Sequence, residues 1–309
     1  MKTLTLALLA FFCITGISAQ EDLLKLLDEE EKQDAPTTEY VANTFKAVRI
    51  VNSHSVELPA ERNLQFVIQH RFGRVDEGWR NFFGIDNADM RIGLEYGIFP
   101  WWSAGFGRSS VGGTFDFYTR FKMLRQSKGA KNIPLSLAWY SNIGISSKGE
   151  LPEGVETAHR LSYAHQLLIA RKFTRNFSFQ VMPTYVHLNL VDSAHFKNDI
   201  VAIGFGARYL ITRSVSLNLE YFQPVTKKAA ALNKDEGELY IGSISFGIDI
   251  ETGGHVFQIT VTNSTGMIEQ LYIPGNTAYW WDKEIRLGFN INRNITFGTG
   301  KWKKKDKAD

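Results

Sequence analysis

From residue 284 to residue 297 the chain alternates. Ile285, Leu287, Phe289, Ile291, Ile295 and Phe297 are apolar, Glu284, Arg286, Gly288, Asn290, Asn292 and Asn294 fill the places between, and only Arg293 breaks the pattern. Successive side chains of a strand point to opposite faces, so this stretch has one greasy face and one hydrophilic face. It is long enough to cross a bilayer at a tilt and ends on an aromatic residue, as the last strand of a membrane barrel does.

The same period recurs upstream. Leu64, Phe66, Ile68 and Phe72 oppose Gln65, Gln69 and Arg71, and Met90, Ile92, Leu94, Tyr96 and Ile98 oppose Arg91, Gly93, Glu95 and Gly97. Phe115, Phe117, Phe121 and Met123 oppose Asp116, Tyr118, Arg120 and Lys122. Further strands are expected over 102–107, 135–145, 161–173, 177–188, 201–211, 215–221, 243–250 and 257–262, which makes twelve. The connections at 99–101, 174–176, 212–213 and 252–254 are tight, whereas 76–89, 146–160, 192–199, 226–239 and 263–283 are long, with Gly112-Gly113 a short exception on the long side. Short periplasmic turns and long outer loops describe an outer-membrane barrel, and the even count places both ends of the wall on the periplasmic side.

Residues 43–57 are extended in character but weakly amphipathic, and as a wall strand they would make thirteen. They are therefore assigned to the inside or underside of the lumen as a plug, with Lys46, Arg49 and Glu57 joining its charges. The expected fold is an all-β, transmembrane antiparallel β-barrel of twelve strands with a periplasmic N-terminal leader. Its segments are a signal peptide (1–20), the leader (21–42), a plug or pre-barrel segment (43–62), the barrel (63–298) and a basic periplasmic tail (299–309).

A basic start at Lys2, an apolar run from Leu4 to Phe12 and small residues near Ala19 give the signal-peptide reading. The single cysteine, Cys13, falls inside it, so neither a disulfide nor a thiol site is expected beyond it. The formal charge of +3 implies no attraction to nucleic acid. No apolar run reaches eighteen residues, which excludes a helical membrane protein and leaves a barrel or an exported soluble β protein.

Charge and aromatic placement separate these two. Arg71, Arg91, Arg120, Lys122, Arg208 and Arg286 share the polar face with Glu95, Asp116, Glu220, Asp249 and Glu284, six basic against five acidic groups. With the apolar face in lipid they line the lumen and must largely neutralise one another. A tight turn at Arg175 sets Tyr163 opposite His187 and His165 opposite Tyr185, and Trp101, Trp102, Tyr279, Trp280 and Trp281 sit at strand ends. Such aromatic girdles belong to a membrane barrel and have no role in a sandwich.

Candidate chemistry is sparse. His70, His165 and His187 fall on the apolar face, where a lipid-facing serine and histidine would suit a phospholipase, but no serine lies at a defensible distance in the sequence pattern. No enzyme, metal site or cofactor is expected. The inward glycines Gly93, Gly97, Gly105, Gly107, Gly204, Gly206, Gly247 and Gly288 fit barrel curvature or close approach by a plug. The aromatic loop over 76–89, with Trp79, Phe82 and Phe83, is expected either to fold over the mouth as a lid, the favoured reading, or to contact a partner.

Several of these stretches together carry a resemblance: Thr44-Phe-Lys46, His70-Arg-Phe-Gly-Arg74, Asn81-Phe-Phe-Gly-Ile-Asp86, Gly107-Arg-Ser-Ser110, Leu124-Arg-Gln126, Gly254-His-Val-Phe-Gln-Ile259 and Arg286-Leu-Gly-Phe-Asn-Ile291. The chain resembles, over 43–297, a family of outer-membrane β-barrel proteins of unknown function from the bacteroides and flavobacteria group. That resemblance implies a barrel and supplies no catalytic or binding residues. The expected function is a narrow channel or uptake component for small solutes, its partners the outer-membrane lipid. The alternative is an accessory barrel with a blocked lumen, working with a periplasmic or outer-membrane protein partner.

Overall fold

The computed structural model describes residues 37–149, 156–191, 196–228 and 240–296. The signal peptide, most of the leader and the tail lie outside these residues. Two units are distinguished, one holding Thr38–Tyr40 and residues 127–132, the other holding residues 41–126 and 133–296. In the first, β1 (Thr38–Tyr40) pairs antiparallel with β6 (Ser127–Gly129), from Thr38 opposite Gly129 to Tyr40 opposite Ser127.

In the second unit twelve strands close into an antiparallel barrel. They are β2 (Asn63–Arg74), β3 (Ala88–Phe99), β4 (Trp102–Ser109), β5 (Thr114–Leu124), β7 (Ser136–Ser146), β8 (Leu161–Lys172), β9 (Phe177–Leu188), β10 (Asp199–Leu210), β11 (Val215–Pro224), β12 (Ser243–Thr252), β13 (His255–Thr262) and β14 (Arg286–Thr296). Each pairs with its neighbour in the chain, and β14 returns to β2, with Ile291 opposite Ile68. Closure removes the free sheet edges that lipid cannot solvate. Tyr163 stands opposite His187 and His165 opposite Tyr185, the register expected from the tight turn between β8 and β9.

The two faces are inverted relative to a soluble protein. Ile92, Phe106, Phe117, Phe246 and Ile259 point outward and are exposed, whereas Gln69, Arg91, Glu95, Asp116 and Arg120 point inward and are completely buried. A sandwich would bury the first group and solvate the second, so the apolar belt is a lipid surface. At the tight-turn end Phe99, Trp101, Trp102 and Phe121 stack in a row, rings 5.5–6.4 Å apart, and at the loop end Trp280 packs on Phe246. Among the described residues no helix is long and apolar enough to cross a membrane.

Candidate functional site

The interior is filled rather than open. Residues 43–58 run inside the barrel and fold back on themselves: Arg49 bridges His54, Ile50 N donates to Ser53 O at 2.9 Å, and Ser55 N donates to Val48 O at 2.9 Å. The apex of this hairpin, Val51 to Ser55, is completely buried.

The wall holds the hairpin through its inward side chains. Glu220 on β11 accepts from the backbone amides of Val51 (3.1 Å), Asn52 (3.1 Å) and Ser53 (2.9 Å) and from Ser53 Oγ (2.7 Å). Three successive amides pointing at one carboxylate form a nest for an anion, here supplied by the barrel itself. Asn290 and Gln258 donate to Val51 O (2.9 Å) and Ile50 O (2.6 Å), and Gln180 takes both His54 O and Val56 N at 2.8 Å. The inward glycines make room. A Cβ on Gly97 would lie 2.2 Å from Ala60 O, and one on Gly206 would lie 2.3 Å from Ile50 Cδ1.

The eleven residues expected to line the lumen distribute as follows. Arg91 is paired with Asp116 (Nε to Oδ1 2.9 Å, Nη2 to Oδ2 2.5 Å), both wholly buried. Arg120 is paired with Glu95 (Nε to Oε1 2.8 Å) and also donates to Ser55 O and Glu57 O at 2.8 and 2.9 Å. Lys122 meets Glu57 of the hairpin at 3.4 Å. Arg71 donates instead to Asn290 and Asn52, Arg208 to Asn43 O and Ser216, and Asp249 accepts from Gln258 and Ser216. Mutual neutralisation of the wall charges, expected from their balance, therefore holds for two wall pairs among the described residues; Lys122 is met by the hairpin's Glu57, and Arg71, Arg208, Glu220 and Asp249 by amides, hydroxyls and backbone. Dipoles fixed in a packed interior can solvate a charge as a counter-ion does.

Three expectations are corrected. Glu284 does not line the lumen: β14 begins at Arg286, and Glu284 sits at the loop-end rim, paired with Arg74 at 2.7 Å and accepting from Tyr279 N. Arg286 stays near that rim, partly exposed, with Phe72 O as acceptor at 3.4 Å. The aromatic loop is not what enters the mouth, because Trp79, Phe82 and Phe83 are exposed, the last two with left-handed φ of 46° and 53°. Residues 263–278 enter instead, with Met267, Ile268, Tyr272 and Ile273 buried around the single turn α1 (Glu269–Tyr272). Finally, Ser141 Oγ lies 2.9 Å from His165 Nδ1 on the outer face, a serine the pattern did not bring near that histidine. The carboxylate of this face, Asp199, is bonded to Tyr185 (2.5 Å) and His187 (2.7 Å) rather than to His165.

A family model described as a membrane bound beta barrel domain (DUF5777) matches residues 45–295. The chain belongs to this family. Membership makes it a membrane-bound barrel, and the even antiparallel closure, short turns at one end and long loops at the other are those of an outer-membrane protein. The matched region starts inside the hairpin, so the hairpin and the wall belong to one family domain. No curated protein matches the chain. Among solved structures, the KdgM porin is similar at 9% identity over 75% of this chain and 99% of that one, with a TM-score of 0.43. An active-site mutant of outer membrane phospholipase A from Escherichia coli is similar at 11% identity over 83% and 100%, TM-score 0.43. OmpF of Salmonella typhi, in complex with daunomycin, is similar at 7% over 75% and 97%, TM-score 0.38.

His54, absent from the sequence candidates, is the hairpin's own titratable group. Its ring lies 4.6 Å from that of Tyr140 and 4.8 Å from that of Tyr118. Burial, and then the charges of Arg49, Arg120 and Arg91, hold its pKa well below the ordinary 6.5. Arg120 and Arg91 are paired with Glu95 and Asp116, and Glu269 lies beyond Tyr140. A hairpin released to water regains the ordinary value, so below pH 6.5 it binds a proton that the seated hairpin refuses. Seating is at full strength above pH 6.5 and weakens by about tenfold per pH unit below it, until the lowered value is reached. The expected result is protease cutting between residues 43 and 58 that speeds up from pH 6.5 to 5.5 in the native protein. In His54→Phe the slope should be lower by that one proton, the difference cancelling carboxylates such as Glu269 that titrate in both proteins.

Proposed function

We propose that the chain is an outer-membrane channel for small solutes that is closed at rest and opens when the hairpin at 43–58 leaves the lumen. The observation that carries this reading is the grip of Glu220 on three amides of the hairpin apex, a set of polar bonds that can be exchanged for water, within a wall closed independently by strand pairing. With the hairpin withdrawn, Arg71, Arg91, Glu95, Arg120, Lys122 and Arg208 would face the path, and such rings of charge select the ions or polar solutes that pass. A cleft of 210 Å³ lies between the hairpin and residues Glu251, His255, Asn292 and Asn294, at the tight-turn end where the hairpin enters and leaves.

Planar-bilayer conductance tests it. The native protein should be nearly silent, and a variant lacking residues 44–57 should carry a steady current whose ion preference changes when Arg120 is replaced by glutamate. Steady current through the native protein, or silence of the deleted variant despite a closed barrel on an unboiled denaturing gel, would refute the proposal. The second reading is an accessory barrel whose lumen stays filled and whose surface recruits a protein. It is favoured by the exposed Trp79, Phe82 and Phe83 on a strained backbone, since such strain concentrates at binding segments and aromatic rings dominate protein interfaces.

A further inference from the structure

The hairpin from one end and the loop at 263–278 from the other meet inside the barrel. Arg49 Nη1 of the hairpin donates to Met267 O of the loop at 3.4 Å, while Arg49 Nε and Nη2 have no hydrogen-bond partner among the described residues. Tyr140 on β7 serves both intruders at once: its ring carries His54 of the hairpin, and its hydroxyl donates to Glu269 Oε2 of the loop at 2.7 Å. Asn142 fastens the same corner, donating to Tyr140 Oη at 2.6 Å and accepting from Gln270 Nε2 at 3.1 Å. Tyr272 of the loop packs edge-on against Phe222 of β11, two residues from Glu220, which holds the hairpin apex. Both intruders are buried, and their charges are complementary, Arg49 on one and Glu269 on the other.

We propose that the hairpin and the outer loop are interlocked through Arg49, Met267, Tyr140 and Glu269, so that drawing the loop outward releases the hairpin at the opposite end of the barrel. This rests on the closed-channel reading and adds the direction in which opening is triggered. Removing the loop takes the buried acid and the Met267 carbonyl away from a guanidinium left with Asn52 O alone, and leaves the Tyr140 hydroxyl without its acceptor. A buried charge that loses a nearby opposite charge and a carbonyl acceptor is destabilised in place, and for Arg49 the exit is with the hairpin. Coupling of this kind is reciprocal: whatever factor the loop's departure adds to hairpin release, the hairpin's departure adds to loop release.

Cysteine labelling of the full chain reads it. Cys13 is the one native cysteine, so a Cys13→Ser background is clean. Val48→Cys places a thiol on the buried hairpin and Ile273→Cys one on the buried loop, each reached by a membrane-impermeant maleimide when its segment leaves. Adding Glu269→Ala should raise labelling at position 48 by about 5–150-fold, the usual range of coupling between sites. Adding Glu220→Ala should likewise raise labelling at position 273. Tyr140→Phe, which keeps the ring under His54 and removes the hydroxyl, provides a milder variant should Glu269→Ala not assemble, with about a tenfold increase at position 48. If loop variants speed labelling at 273 and leave 48 unchanged, the interlock is wrong and the closed channel stands. If position 48 labels rapidly with no other change, the hairpin is not seated and the closed-channel reading itself fails.

Discussion

Glu220→Ala is expected to empty the lumen of its hairpin while leaving the wall intact. The substitution strands the amides of Val51, Asn52 and Ser53 and the Ser53 hydroxyl, four donors now satisfied by one carboxylate in a completely buried site. A buried donor left without an acceptor costs about 1–3 kcal/mol. Part of this is offset, because the alanine also removes a carboxylate whose burial is unfavourable. A net loss of about 4 kcal/mol of seating remains, close to a thousandfold in the equilibrium between seated and released hairpin. Glu220→Gln keeps an acceptor oxygen of the same reach and should fall between. The wall does not depend on this side chain, since β11 stays bonded to β10 and β12 along its whole length. The outcome is read by protease cutting between residues 43 and 58 in reconstituted protein, with gel mobility of unboiled samples as control for the wall. Cutting of Glu220→Ala no faster than that of the native protein would remove Glu220 as the holding group.

Arg91→Met carries the largest expected loss of barrel stability. Its guanidinium makes two bonds to Asp116 and one to Gln69, at 3.3 Å, and lies 5.9 Å from the Tyr118 ring centre. Gly93 and Gly107 form the floor under it, where a Cβ would stand 2.7 and 2.4 Å from the guanidinium nitrogens. Deleting one partner of a buried pair leaves the other charged in a medium that cannot solvate it, at about 3–5 kcal/mol. The midpoint of urea unfolding in phospholipid vesicles should fall accordingly. The double variant Arg91→Met with Asp116→Leu should regain most of the loss, because the penalty belongs to the stranded charge and not to the absence of the pair. By contrast Lys46→Ala, which breaks a partly exposed pair with Glu251, should lower the unfolding free energy by no more than about 1 kcal/mol and move the midpoint correspondingly little. Equal effects of Arg91→Met and the double variant would show that the site needs the arginine's volume rather than its charge.

Much of the wall is legible because two solvents constrain it. Each outward position meets hydrocarbon and each inward position a polar interior, so Ile92 and Arg91, or Phe117 and Asp116, must alternate with the pleat, and a one-residue slip would place every charge in lipid. Tight turns then fix the register, which is why Tyr163 and His187 can be placed opposite one another without coordinates. Even the weak amphipathicity of 43–57 is informative, since a segment surrounded on all sides has no reason to alternate.

What the polar face contacts is a different matter. Glu220 and Arg91 look alike in the pattern, an inward charge on an alternating strand, yet one holds backbone amides from a residue 167 positions away and the other a carboxylate 25 positions away. Met267, Ile268 and Ile273 follow no period and stand among glycine, proline and asparagine, so they read as an outer loop. Trp79, Phe82 and Phe83 make the more aromatic loop, but they stand among Asp76, Glu77, Arg80, Asp86 and Asp89 and remain outside. Hydropathy ranks the wish to leave water; whether a loop finds space in the lumen depends on the glycines and small residues facing it from strands distant in sequence.

The sequence by itself determined the twelve strands, their alternate faces, the closed antiparallel order and the membrane as the medium outside, because backbone geometry and two opposed solvents act on every residue locally. Only the tertiary structure decided that the lumen is filled from both ends, which loop enters it, and that Glu220, Tyr140 and Arg49 hold the two intruders together. Those outcomes depend on volumes and hydrogen-bond partners that meet when the barrel closes, and no stretch of the chain carries them alone.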